Sequence, residues 1–219
     1  MNEKLTVPLQ ERTEKDAQAE SWSEVVILAD ADYIDHVAFN LIVNFERMLE
    51  RRIPQADLTR WLDCVALDGG IRPSAERQDM PHSIQVILFH KEKEMKNFQP
   101  ASFADLDGKA FSDSLGEFCI SCVKVEELTT MGDLFVESLQ HICQQQEVKH
   151  LMVIPNAEDS AIYNKVRETL NHIGNDEKRI TVFAMQPLQG GRFCQEILGY
   201  SLMAALGIKG EEINNKQSL

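Results

Sequence analysis

Carboxylate side chains crowd the point where a short apolar segment ends. Residues 25–29 are continuously apolar, and Asp30, Asp32 and Asp35 follow at once. Like charges this close raise each other's pKa unless a cation neutralises them, and clustered carboxylates are natural ligands for Mg²⁺. A simpler interpretation stays open, because Asp is a favoured residue at a helix N-cap.

Two further acids stand at comparable positions later in the chain. Asp159 follows the apolar residues 151–154, and Asp133 follows Gly132 at the start of a predicted helix. If the strands before Asp30 and Asp159 are neighbours, both side chains face one crevice. We therefore expect Asp30, Asp133 and Asp159 to bind Mg²⁺ or Mn²⁺, with Asp32 orienting a water molecule. Helix starts explain these acids as well, since the helix dipole favours negative charge there.

The elements that must position these acids alternate along the chain. Short apolar runs predict strands at residues 25–29, 84–89, 118–125, 151–154 and 180–185, and amphipathic stretches between them predict helices. Such alternation is typical of an α/β fold, here a three-layer αβα sandwich around a mostly parallel five-stranded sheet. Sites in such sheets form beyond the carboxyl ends of the strands.

The pattern of acids and elements resembles a known group of nucleases. A first strand ending in Asp30, an acid on a mid-chain helix and an apolar strand followed by Asp159 resemble the NYN/PIN-like nuclease superfamily, as a degenerate member. Asp30-Ala31-Asp32-Tyr33 lacks the usual Asn of the first motif, and Ala157 stands where the family commonly has an Asp. The resemblance implies a ribonuclease that holds Mg²⁺ or Mn²⁺ with these acids and cuts RNA at a local site.

Two other functions stay open. A catalytically inactive member of the same fold would act as a protein-interaction module or a homodimer, with the apolar last helix, residues 193–206, packing across the interface. Asp30-Ala31-Asp32 is also similar to the first motif of haloacid-dehalogenase-like phosphohydrolases, in which the first Asp is the nucleophile and the second the general acid and base.

Composition limits the partners and the compartment. The chain of 219 residues carries a net charge of -13, which repels a phosphate backbone and argues against general coating of nucleic acid. Its apolar runs are too short to span a membrane. Five scattered cysteines suit reduced thiols in the cytoplasm. We expect a flexible leader at residues 1–21, one α/β domain at 22–208 and a flexible tail at 209–219.

Overall fold

The structure is a computed structural model, and it describes residues 10–11, 22–73, 82–172 and 178–217. Its strands are β1 (Gln10–Glu11), β2 (Val25–Asp30), β3 (Ala56–Asp57), β4 (His82–His90), β5 (Phe98–Gln99), β6 (Lys109–Ser112), β7 (Gly116–Lys124), β8 (His150–Ile154), β9 (Arg179–Ala184) and β10 (Cys194–Ile197). Its helices are α1 (Ala31–Leu49), α2 (Leu58–Asp68), α3 (Phe103–Leu106), α4 (Met131–Gln144), α5 (Ser160–His172), α6 (Leu198–Ala205) and α7 (Gly210–Gln217).

The five strands predicted from the sequence form the parallel centre of the main sheet. They lie in the order β7-β4-β2-β8-β9, so β2 occupies the middle. Every residue of β2 is buried, because helices cover both faces of the sheet. Val25, Ile27 and Ala29 join the core on one face, whereas Val26 and Leu28 join the core on the other. The α/β class with a mostly parallel sheet is therefore confirmed.

The expected number of five strands is wrong, since the main sheet has eight strands within the described residues. β6 pairs antiparallel with β7, β1 pairs antiparallel with β6, and β10 extends the other edge in parallel with β9. A separate small sheet joins β3 and β5. The added strands are short and lie outside the five central strands, so they contain no long apolar run from which they could be predicted.

Helices cover the two faces of the sheet and complete three layers. On one face, α1, α2 and α6 enclose the core that includes Trp61, Phe118 and Leu202. On the other face, α4 and α5 enclose a second core with Phe135 and Val166. None of the helices within the described ranges is long and apolar enough to cross a membrane.

The chain after β9 differs from the expectation in two places. The predicted closing helix at residues 193–206 begins as strand β10 and becomes helical only at Leu198. The tail expected to be flexible, residues 209–219, instead contains α7, where Glu212 forms a two-bond ion pair with Arg51, with N···O distances of 2.9 Å. This contact joins residues 161 positions apart, so the local sequence does not indicate it.

At the other end of the chain, Gln10–Glu11 pair with β6, and the rest of the predicted leader lies outside the described residues.

A candidate cation pocket at the switch point of the sheet

A pocket opens where the order of the central strands reverses. From β2 the chain moves to β4 and β7 on one side, and it then returns to β8 and β9 on the other. Ligands of open α/β sheets bind in the crevice at such a switch point, outside the carboxyl ends of the strands. Here the crevice is a pocket of about 560 Å³ lined by Asp30, Asp32, Tyr33, His36, Lys91, Met131, Asn156, Glu158 and Asp159.

Asp30 ends β2 and caps α1. Its side chain accepts a hydrogen bond from the backbone N–H of Tyr33 at 3.0 Å, which satisfies one of the open donors at the helix start. The residue is only 5% exposed. The pKa of Asp30 is raised to about 6, chiefly by burial; the hydrogen bond from Tyr33 opposes this rise, and the charge of Asp32 adds to it. Asp30 is therefore a mostly ionised but poorly solvated carboxylate at neutral pH.

Asp32 and Asp35 hold the loop that follows β4. The carboxylate of Asp32 accepts the backbone N–H groups of Lys91 at 2.8 Å and of Glu92 at 3.4 Å. Asp35 accepts the backbone N–H of Lys96 at 3.2 Å, and from Asn97 it accepts the backbone N–H at 2.8 Å and the side-chain amide at 3.1 Å. Both acids expected at the first strand end thus anchor residues 91–97 to α1.

Tyr33 places a buried polar group beside the acids. The residue is 4% exposed, and within the described part of the chain its hydroxyl has no hydrogen-bond partner. Burial raises its pKa, and the charges of Glu158 and Asp30 raise it further, so the phenol stays protonated and acts as a donor. Among the same described residues, Oδ1 of Asn156, another lining residue, is also buried without a hydrogen-bond partner.

Asp159 reaches the pocket from the neighbouring strand. β2 and β8 pair in parallel over residues 25–29 and 150–154, which brings the residues after both strands to one edge. Oδ1 of Asp159 accepts the backbone N–H groups of Ala161 at 2.9 Å and Ile162 at 3.3 Å, so it also caps the start of α5. Glu158, the exposed residue before it, lines the same pocket, and its charge raises the pKa of Tyr33.

Asp133 does not join this group. It lines a different groove, between α4 and α5, together with Glu137 and Lys165. Its side chain is bonded to the Lys165 ammonium at 2.6 Å and to the Thr130 hydroxyl at 2.7 Å, and these hydrogen bonds lower the pKa of Asp133. The expectation that Asp30, Asp133 and Asp159 converge is therefore corrected, because Asp133 serves the packing of two helices.

The donor arrangement is not a preformed cage of acids. Within the described residues, no three His, Cys, Asp or Glu side chains come together in a way that could hold a metal ion. Tyr33, Lys91 and Glu158 are absent from the set of site residues expected from the sequence. Their positions in the sequence could have identified them, because each lies within a few residues of the carboxyl end of a central strand.

The fold and the pocket define an α/β protein with a polar pocket at the switch point of a mostly parallel sheet. A family model, "Family of unknown function (DUF6621)", matches residues 19–213, and the chain belongs to that family. Neither the curated proteins nor the solved structures yield a match to this chain.

Proposed function

We propose that this pocket binds Mg²⁺ or Mn²⁺ and hydrolyses a phosphodiester bond of RNA, with Asp30 as the central carboxylate. The observation that carries the proposal is the state of Asp30, a carboxylate 5% exposed whose pKa is raised to about 6 by burial. A cation at this position would relieve the cost of its buried charge. The choice of RNA hydrolysis follows the NYN/PIN-like resemblance of the sequence.

The donors around Asp30 suit a hard divalent cation. Asp30, Glu158 and Asn156 all offer oxygen atoms, which Mg²⁺ prefers. Mg²⁺ commonly keeps several waters and uses only one or two carboxylates together with substrate phosphate oxygens. A pocket without a three-acid cluster therefore still fits this ion, and Glu158 takes the place that the sequence assigned to Asp133.

Each side chain of the pocket would have its own role in the hydrolysis. A bound divalent ion would activate water and stabilise the charge of the transition state. Asp30 would hold the ion, and Glu158, which is exposed, would bind it with one carboxylate oxygen and accept the proton of the attacking water with the other. Tyr33 would donate a hydrogen bond to a phosphate oxygen once a ligand opens access to its hydroxyl.

The alternative, an inactive interaction module or homodimer, is favoured by α1 and not by the last helix. Phe39 and Val43 are four residues apart on α1 and are 50% and 37% exposed, so they form an apolar strip on one helix face. On α6, Leu198 and Leu202 are fully buried in the core, whereas Tyr200 is exposed. An interface would therefore form on α1.

Thermal unfolding in the presence of Mg²⁺ tests the proposed function. A ligand at ten times its dissociation constant stabilises the folded chain by about 1.4 kcal/mol. We expect saturable stabilisation of the wild type at pH 7.5, none for Asp30→Asn and a weaker one for Glu158→Gln. Asp133→Asn removes the same charge from a helix start and should respond like the wild type.

Cleavage of a labelled single-stranded RNA, with and without EDTA, then tests the chemistry. EDTA and Asp30→Asn should each abolish cleavage. An Asp30→Asn variant with the wild-type response to Mg²⁺, or a loss of response in Asp133→Asn alone, would contradict the proposal.

A further inference from the structure

Lys91 is the fixed positive charge at an otherwise acidic pocket. Among the described residues that line the pocket, four are acids, and Lys91 carries the one permanent positive charge. It follows directly after β4, at the same sheet edge as Asp30. Its charge lowers the pKa of Asp30, which agrees with a position close to that carboxylate.

The backbone at Lys91 is held in place by α1. The carboxylate of Asp32 accepts hydrogen bonds from the backbone N–H groups of both Lys91 and Glu92, so it fixes two successive peptide units. One residue earlier, the ring of His90 stacks on Phe103 at 3.8 Å, and its Nδ1 bonds the carbonyl oxygen of Glu92 at 2.7 Å. The backbone of Lys91 is therefore fixed at the rim of the pocket, and its flexible side chain carries the ammonium group from that point.

An ammonium group beside a cation site suits a phosphate. Lys binds phosphate as a compact point charge, and it would contact the anion whose other oxygens face the metal ion. An independent observation also indicates a ligand here, since the hydroxyl of Tyr33, which is 4% exposed, has no partner within the described residues. The net charge of -13 repels further phosphates, so the favourable contact is confined to one or two.

We propose that Lys91 binds a single phosphate of the substrate and that Asp32 is the positioning residue for Lys91. This inference rests on the proposed function and adds the residue that holds the substrate's phosphate. It also gives Asp32 a role that needs no metal contact.

Binding of a fluorescein-labelled hexauridylate at several KCl concentrations, in EDTA so that the strand is not cleaved, tests this inference. For single strands the slope of log K against log salt is about −0.7 for each phosphate neutralised. The wild type should therefore give a slope near −0.7, and Lys91→Gln should give a slope near zero with binding about tenfold weaker at low salt. Lys91→Arg should keep the wild-type slope, because it keeps the charge. Lys93→Gln, which removes a charge from the same loop outside the pocket lining, should also keep it.

A double-mutant cycle tests the positioning role of Asp32. If Asp32 acts through Lys91, then Lys91→Gln should weaken binding by less than about threefold in an Asp32→Asn background, against about tenfold in the wild type. Additive effects of the two substitutions would refute the positioning role. Equal losses in Lys91→Gln and Lys93→Gln, a wild-type slope steeper than about −2, or no binding of the oligonucleotide would refute the inference.

The two proposals fail in different ways. If Mg²⁺ does not stabilise the wild type while RNA binding still depends on Lys91, the metal-dependent function fails and the phosphate contact stands. If the response to Mg²⁺ is present in wild type and Lys91→Gln alike while Lys91→Gln binds RNA like the wild type, the Lys91 inference alone fails.

Discussion

Replacing Asp30 by Asn should make the protein more stable at neutral pH. The pKa of Asp30 is about 6 in the folded chain against 3.8 for an ordinary aspartate, because burial disfavours its charged form. One pKa unit corresponds to 1.36 kcal/mol, so the charged side chain costs the fold about 3 kcal/mol above pH 6. Asn caps a helix about as well as Asp, and the substitution therefore removes the charge and keeps the cap.

The sign of the effect follows from the raised pKa. The folded chain holds the Asp30 proton more tightly than the unfolded chain, so this group stabilises the fold fully below about pH 3.8. That contribution is lost as the pH rises through about 6. The stability gain of Asp30→Asn over wild type should consequently be close to zero at pH 4 and reach about 3 kcal/mol at pH 7.5, an increase in Tm of roughly 6–12 °C.

Urea unfolding of both proteins at pH 4 and pH 7.5 provides the measurement, in EDTA so that no cation compensates the charge. Asp133→Asn is the matched control, since it removes one charge from the first turn of α4, where the side chain is exposed and paired with Lys165. The control should be slightly less stable than wild type at pH 7.5. An Asp30→Asn variant less stable than wild type at pH 7.5 would refute the reasoning that the Asp30 charge is buried without compensation.

Three further predictions test the pocket and its surroundings. The affinity for Mg²⁺, measured by calorimetry, should fall about tenfold between pH 7.5 and pH 5, because the cation competes with the proton on Asp30; equal affinities would argue against that ligand. Asp35→Ala removes three hydrogen bonds to Lys96 and Asn97 and should cost about 2–3 kcal/mol, with faster amide exchange over residues 91–97 and unchanged exchange in β8. Leu202→Ala should cost about 2–5 kcal/mol in urea unfolding, whereas the 70% exposed Tyr200 should tolerate Ala within about 0.5 kcal/mol; the reverse order would mean that α6 is an interface and not core.

The central strands could be predicted because burial on both faces leaves a strong mark in the sequence. β2 and β8 are nearly continuous apolar runs, and their lengths separate them from helices. β10 could not be predicted in this way. Cys194, Gln195 and Glu196 are exposed at the sheet edge, so their side chains carry no apolar pattern. Helix α7 could not be predicted from the sequence either, because its contacts are with residues distant along the chain. Ile213 packs on the core, and Glu212 pairs with Arg51.

The site was predictable where it depends on strand neighbours and unpredictable where it depends on loops. Asp30 and Asp159 meet at one edge because β2 and β8 are adjacent. Asp32 is expected from the sequence to orient a water molecule, whereas its carboxylate accepts the backbone N–H groups of a loop about 60 residues away. Asp133 was misassigned for a related reason, since its Lys165 partner lies 32 residues further on.

Paramagnetic broadening by Mn²⁺ locates the cation most directly. Mn²⁺ is added in small amounts, which limits nonspecific binding, while ¹H–¹⁵N spectra of the full chain are recorded. The ion should broaden the amide signals of four pocket residues first, namely Asp30, Tyr33, Lys91 and Asn156. This broadening should disappear in Asp30→Asn. Broadening that begins around Glu137 in the groove between α4 and α5, or that spreads evenly over the acidic surface in both proteins, would contradict a cation site at the switch point of the sheet.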